Sequence, residues 1–269
     1  MLELGLLNTI ALISIILFGI PHGGLDAAIS RKKGWSQTKI HTVYFHVFYL
    51  ILTSLIIVLW YFFPLISLIL FLAISALHFG YSDFNNSKDI RVDALISHGG
   101  LVSIIIPYFQ ADLVVEFFTI LSGQENAAIV ITAINYLIFP WAGFFLIYTF
   151  NVLKKKTYSF SYTQLLLMVI LAWIFPPLIS FSVYFCIIHS PRHIFIILNE
   201  MNSQERLRAI KETIFYSSTA LLFMLTVGYF LTGSYIITDS IIKVVFIGLA
   251  ALTVPHMILI DYFESREKE

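Results

Sequence analysis

LISFSVYFCIIHSPRHIFIIL, residues 178–198, is a twenty-one-residue run whose only titratable side chains are Tyr184, Cys186, His189, Arg192 and His193. About 20 predominantly apolar residues suffice for a helix to cross roughly 30 Å of hydrocarbon, so the run reads as a transmembrane helix. An imidazole in a bilayer costs free energy unless it finds a partner, which makes intramembrane histidine a mark of a metal site, proton path or ligand site. The i, i+4 spacing puts His189 and His193 on one helical face, a turn apart, where both rings reach a single ion. Pro191 between them removes a backbone hydrogen bond and bends the helix.

The rest of the chain has the same character. Of its 269 residues 59% are hydrophobic and only 12% charged, with a mean hydropathy of +0.88; ordinary globular domains carry about 25% charged residues. Further apolar windows fall near 4–29, 42–62, 64–82, 94–110, 127–150, 160–176, 212–232 and 240–262. The expected fold is therefore all-α: a polytopic transmembrane helix bundle of eight or nine spans, the count depending on whether Pro176-Pro177 separates two helices or breaks one. The first segment lacks a basic leader and a cleavage site and ends in Pro21-His22-Gly23-Gly24, so it reads as a retained span. No polar linker divides the chain, and 1–269 reads as a single integral-membrane domain.

Orientation follows from the basic residues. With the N-terminus outside and nine spans, Arg31, Lys32, Lys33, Lys39, Lys88, Arg91, Lys154, Lys155, Lys156, Arg206, Arg208, Lys211, Arg266 and Lys268 face the cytoplasm, fourteen of the sixteen Lys and Arg. The connection from Gln110 to Asn126 carries Asp112, Glu116 and Glu125 but no basic residue, as expected of an outer loop. A multi-pass protein of the cell membrane results. Zero formal net charge gives nucleic acid no footing, and the single Cys186 excludes intramolecular disulfides and thiolate-rich metal sites.

On this topology all eight histidines lie in the cytoplasmic half of the membrane. His22 sits in Pro21-His22-Gly23-Gly24-Leu25-Asp26 and His78 in Ala76-Leu77-His78-Phe79-Gly80-Tyr81-Ser82-Asp83, where glycines let neighbouring helices approach. With His189 and His193 they make four imidazoles from three helices, a set suited to Fe(II) or Zn(II). His98 and His256 read as outer groups around such a site, while His41 and His46 lie near a basic loop, where an interfacial imidazole is ordinary. Asp26, Asp83 and Asp261 each follow a histidine by four or five residues, and a metal-bound histidine commonly donates its second N–H to a carboxylate. Aromatic residues make up 16% of the chain; Phe79, Tyr81, Phe84, Tyr184, Phe185 and Phe195 lie close to histidines in sequence and suit a long conjugated apolar ligand. No Gly-rich phosphate loop, dinucleotide fingerprint or Ser-His-Asp set appears.

The motifs Pro21-His22-Gly23-Gly24-Leu25-Asp26, His78-Phe79-Gly80-Tyr81-Ser82-Asp83, Ser97-His98-Gly99-Gly100 and His189-Ser190-Pro191-Arg192-His193, in that order, resemble the bacteriorhodopsin-related protein (Brp/Blh) family of β-carotene 15,15′-dioxygenases over nearly the whole chain. The resemblance implies a non-haem Fe(II) enzyme that uses O2 to split β-carotene at its central double bond into two all-trans-retinal, supplying chromophore to a microbial rhodopsin. It also implies that His22, His78, His189 and His193 hold the iron, with no catalytic group beyond the metal site. Specificity for the middle bond then comes from how the substrate is positioned. Two other readings compete: a membrane di-iron hydroxylase or desaturase, which normally carries several HxxxH and HxxHH clusters where this chain has one HxxxH, and a divalent-metal transporter, which more often carries mid-membrane charges and an inverted repeat.

Overall fold

A computed structural model of the chain describes residues 5–84, 91–155 and 159–266, without side chains at 159 and 261–266. Lys88, Lys156 and Lys268, and the side chains of Asp261 and Arg266, lie outside the described set. Among the described residues every regular element is helical. We number ten helices: α1 (Leu6–Lys32), α2 (Lys39–Phe62), α3 (Pro64–Ser82) and α4 (Val92–Phe109); α5 (Ala111–Ser122), α6 (Gln124–Lys155) and α7 (Ser159–Ile174); then α8 (Pro177–Asn199), α9 (Ser203–Leu231) and α10 (Ile237–Arg266).

Eight of these are long and apolar enough to cross a membrane, while α7 has 16 residues and is shorter than a full span. The Pro176-Pro177 pair does separate two helices. Pro176 adopts an extended backbone (φ −52°, ψ 153°) and α8 begins at Pro177, because a residue preceding proline is pushed out of the helical region.

Three departures from the sequence reading have local causes. The connection expected as an outer loop contains α5, whose Val114, Phe117, Phe118 and Leu121 are buried; their 3-1-3 spacing is the apolar stripe of a short amphipathic helix. Helix α9 starts nine residues ahead of its apolar window. There the Asn202 side chain accepts from the backbone N–H of Gln204 and Glu205 at 3.0 Å, and the Glu205 carboxylate accepts from Asn202 N–H at 3.0 Å, a reciprocal cap that extends the helix into polar sequence. Helices α4 and α8 each contain a π-helical stretch, Leu101–Ile105 and Val183–His189, and each stretch ends two residues before a proline, Pro107 or Pro191. A proline ring collides with the carbonyl four residues back, and the wider π turn makes room for it.

Contacts group the chain into two compact units, one built from Leu12–Phe63 and the chain from Ser190 onward, the other from Gly5–Ala11 and Pro64–His189. The first packs Leu25, Ala28, Ile29, Phe45, Met201, Ala209 and Leu259 into one core. Its polar edge carries Glu212, which accepts from Arg31 at 2.8 Å and from Arg208 at 2.9 Å.

In the second unit α3 and α4 approach so closely that glycine is obligatory. A Cβ on Gly80 would lie 2.7 Å from the Leu95 carbonyl oxygen, one on Gly99 would overlap the Ala76 backbone, and one on Gly100 would enter the Trp141 indole. That indole donates Nε1–H to the Ser97 carbonyl at 3.1 Å and so ties α6 to α4. Gly99→Ala is expected to lower the melting temperature of the detergent-solubilised protein by an amount equivalent to about 1–3 kcal/mol, whereas Gly143→Ala, whose added methyl meets nothing within 4 Å, leaves it unchanged. Equal melting temperatures for the two variants would contradict this packing.

Candidate metal centre

Six of the eight histidines are buried, and none of the six is more than 7% exposed. Helix α1 carries His22 to its last regular turn, then breaks at Leu25 and restarts at Asp26. That restart re-aims the carboxylate. Instead of serving His22, four residues back, Asp26 Oδ1 accepts from Nδ1 of His256 in α10 at 2.7 Å. Its other oxygen accepts from the Tyr49 hydroxyl of α2 at 2.9 Å, and the same hydroxyl lies 3.3 Å from the Leu252 carbonyl.

Around this anchor the first unit gathers three imidazoles. The ring centroids of His22 and His193 are 4.3 Å apart, those of His22 and His256 4.7 Å, and those of His193 and His256 5.2 Å. Ser190, one turn before His193, ties α8 to α1 by donating its hydroxyl to the Phe18 carbonyl at 3.2 Å.

The second unit repeats the carboxylate–histidine pairing. Asp83 lies just beyond the end of α3, where the chain has already turned, and it serves His98 of α4 rather than His78: Oδ2 accepts from His98 Nδ1 at 2.7 Å and is approached by the Tyr184 hydroxyl at 3.4 Å. His78 of α3 and His189, the last residue of the π turn in α8, bring their ring centroids to 5.0 Å. Nδ1 of His189 is 3.3 Å from the Ser82 hydroxyl. Phe79 stands edge-on to His189 at 4.8 Å and Phe185 stacks on it at 5.7 Å, while Phe84 packs edge-on against His98 at 4.7 Å.

Of the four histidines proposed from sequence, the structure therefore pairs His22 with His193 and His78 with His189. Tyr81 and Phe195, expected near the histidines, point outward at 44% and 68% exposure. His41 is exposed, and His46 hydrogen-bonds the Thr42 carbonyl at 2.7 Å. The inter-helix pairings His256–Asp26 and His98–Asp83 are what sequence reasoning missed. A signal for them existed: two carboxylates within apolar segments each need a donor, and His98 and His256 were among the histidines left over.

The donor set fits a metal of intermediate softness. It is nitrogen-rich, with Cys186 the lone thiol of the chain, which suits Fe(II) or Zn(II) and disfavours copper(I). Imidazoles sharing one ion, each nitrogen about 2.1 Å from it, hold their centroids roughly 4–5.5 Å apart, the spacing seen within each unit. Because a carboxylate only accepts, each Asp fixes the tautomer of its histidine: the proton is on Nδ1 and the lone pair on Nε2.

A family model described as "Beta-carotene 15,15'-dioxygenase" matches residues 13–264. The chain belongs to the β-carotene 15,15′-dioxygenase family. It is 36% identical over 262 residues to the "Beta-carotene 15,15'-dioxygenase" of uncultured marine bacterium 66A03, covering 96% of this chain and 94% of that protein. It is also 26% identical over 206 residues to the "Probable beta-carotene 15,15'-dioxygenase Blh" of Halobacterium salinarum (strain ATCC 700922 / JCM 11081 / NRC-1), covering 67% of this chain and 59% of that protein. No solved structure matches the chain. The family assignment rests on sequence, and the carboxylate-braced histidines are what the structure adds to it.

Replacing Asp83 by alanine strands the buried Nδ1–H of His98. A buried donor left without its acceptor costs about 1–3 kcal/mol, so Asp83→Ala should unfold at correspondingly lower denaturant, whereas Asp112→Ala at an exposed position should change stability by less than about 0.5 kcal/mol. Indistinguishable unfolding midpoints would mean that the His98–Asp83 pair carries no stability.

Proposed function

We propose that this protein is a β-carotene 15,15′-dioxygenase of the cell membrane, acting as one catalytic domain over 1–269 and cleaving β-carotene with O2 into two all-trans-retinal. The observation that carries the reading is family membership across 13–264, supported by the relative of that name that is 36% identical over 96% of this chain. The balance is simple: the central C=C breaks, and each of its two carbons receives one oxygen atom of O2.

In this reading Fe(II) is held by His22, His78, His189 and His193. Bound iron supplies the redox chemistry that lets triplet O2 react with a closed-shell polyene. The chain's own residues do the rest. Burial of the six histidines excludes bulk water, which protects reactive intermediates from side reactions. Phe79, Tyr184 and Phe185, beside His189, offer aromatic faces to a conjugated chain, and the eight long apolar helices support a site reached by a lipid-dissolved substrate. Orientation of the polyene, rather than a general acid or base, selects the bond that breaks. Retinal released into the bilayer is then available to a microbial rhodopsin as its chromophore.

Expression in β-carotene-producing cells tests this. The wild-type protein should bleach the pigment and accumulate retinal, and His193→Ala should lose at least about 100-fold of that activity, a loss on the scale of a missing electrostatic contribution to the transition state. Equal bleaching by both, or by neither, would refute the assignment.

A further inference from the structure

We infer that His256 is a metal ligand in its own right, an addition to the four-histidine set, held in its ligating tautomer by Asp26 and Tyr49. The inference rests on the iron reading above and deepens it. It stands on three observations from one unit.

The first is position. The ring of His256 is as near to His22 as a shared ion requires, 4.7 Å against 4.3 Å for the His22–His193 pair, and His22 and His256 offer ring nitrogens within 4.8 Å of each other. The three rings come from α1, α8 and α10, so no two are adjacent on one helix, and they are 5%, 7% and 3% exposed.

The second is the proton. Asp26 Oδ1 takes the Nδ1–H of His256 at 2.7 Å, which leaves the lone pair on Nε2 and makes the ring more basic, the arrangement that supports metal-bound histidines generally. The third is the carboxylate's own constraint. Tyr49 donates to Oδ2 at 2.9 Å, so both oxygens of Asp26 are engaged and Oδ1 is held toward the imidazole.

His98 shows that bracing alone does not assign a ligand. Its Nδ1 is bound by Asp83 at the same 2.7 Å, but its close ring neighbours within the unit are Phe84 at 4.7 Å and Tyr148 at 5.7 Å. Proximity to two further imidazoles is what distinguishes His256.

The test compares the wild type, His22→Ala, His256→Ala and Asp26→Asn, each purified intact in detergent and loaded with Fe(II) or with Co(II). Iron affinity and the visible ligand-field absorption of bound Co(II) are the readouts. Expected are an iron affinity at least about 10-fold lower for Asp26→Asn, a larger loss for His256→Ala with an altered Co(II) spectrum, and recovery of the wild-type spectrum when free imidazole is added to His256→Ala. If His256→Ala does not accumulate, His256→Gln is measured in its place with the same expectation. Wild-type iron affinity and Co(II) spectrum in the His256 variant, with both lost in His22→Ala, would overturn the inference while leaving the iron reading intact. A wild-type protein that binds no iron would overturn both.

Discussion

A carboxylate inside a hydrocarbon-facing helix bundle is tolerated only when donors take up its lone pairs, since an unpartnered charge there costs several kcal/mol. Asp26 and Asp83 meet this constraint in the same way, each between the Nδ1–H of a histidine and the hydroxyl of a tyrosine. Each arrangement draws together sequence that is far apart, 230 residues for Asp26 and His256 and 101 for Asp83 and Tyr184. The pairs thus act twice: they satisfy the buried charge, and each fixes the tautomer of its imidazole.

The helices around these pairs are shaped to permit it. π-helical turns lie just ahead of Pro107 and Pro191, and a π turn rotates the residues on either side relative to a regular helix. His189 closes one such turn. Close approach of α3 and α4 at Gly80 and Gly99 brings the Asp83–His98 pair within hydrogen-bonding reach, so the small-residue motifs and the polar pair are one construction.

Much of this was legible in the residues. Apolar windows about twenty residues long announced the spans, because a bilayer admits few alternatives to a helix, and histidine in such windows pointed to the candidate site. The motifs around His22, His78, His98 and His189 carried the family likeness. Less legible were features that depend on cancellation between local and distant forces. Helix α5 was hidden by its acidic residues, Asp112 and Glu116, which suggested a loop. The reach of α9 into polar sequence depended on the Asn202 cap. The carboxylates misled most: Asp26 and Asp83 follow His22 and His78 at near-helical spacing, yet a break at Leu25 and the end of α3 at Ser82 swing each toward a histidine on another helix.

An X-ray absorption spectrum at the iron edge of the purified protein tests the central claim most directly, since it reads the ligand shell without relying on turnover. The account predicts a shell of nitrogen scatterers with the multiple-scattering pattern of several imidazoles and no sulfur. A shell dominated by carboxylate oxygen, which would make Asp26 or Asp83 the ligand rather than the brace, or a porphyrin pattern, would contradict it.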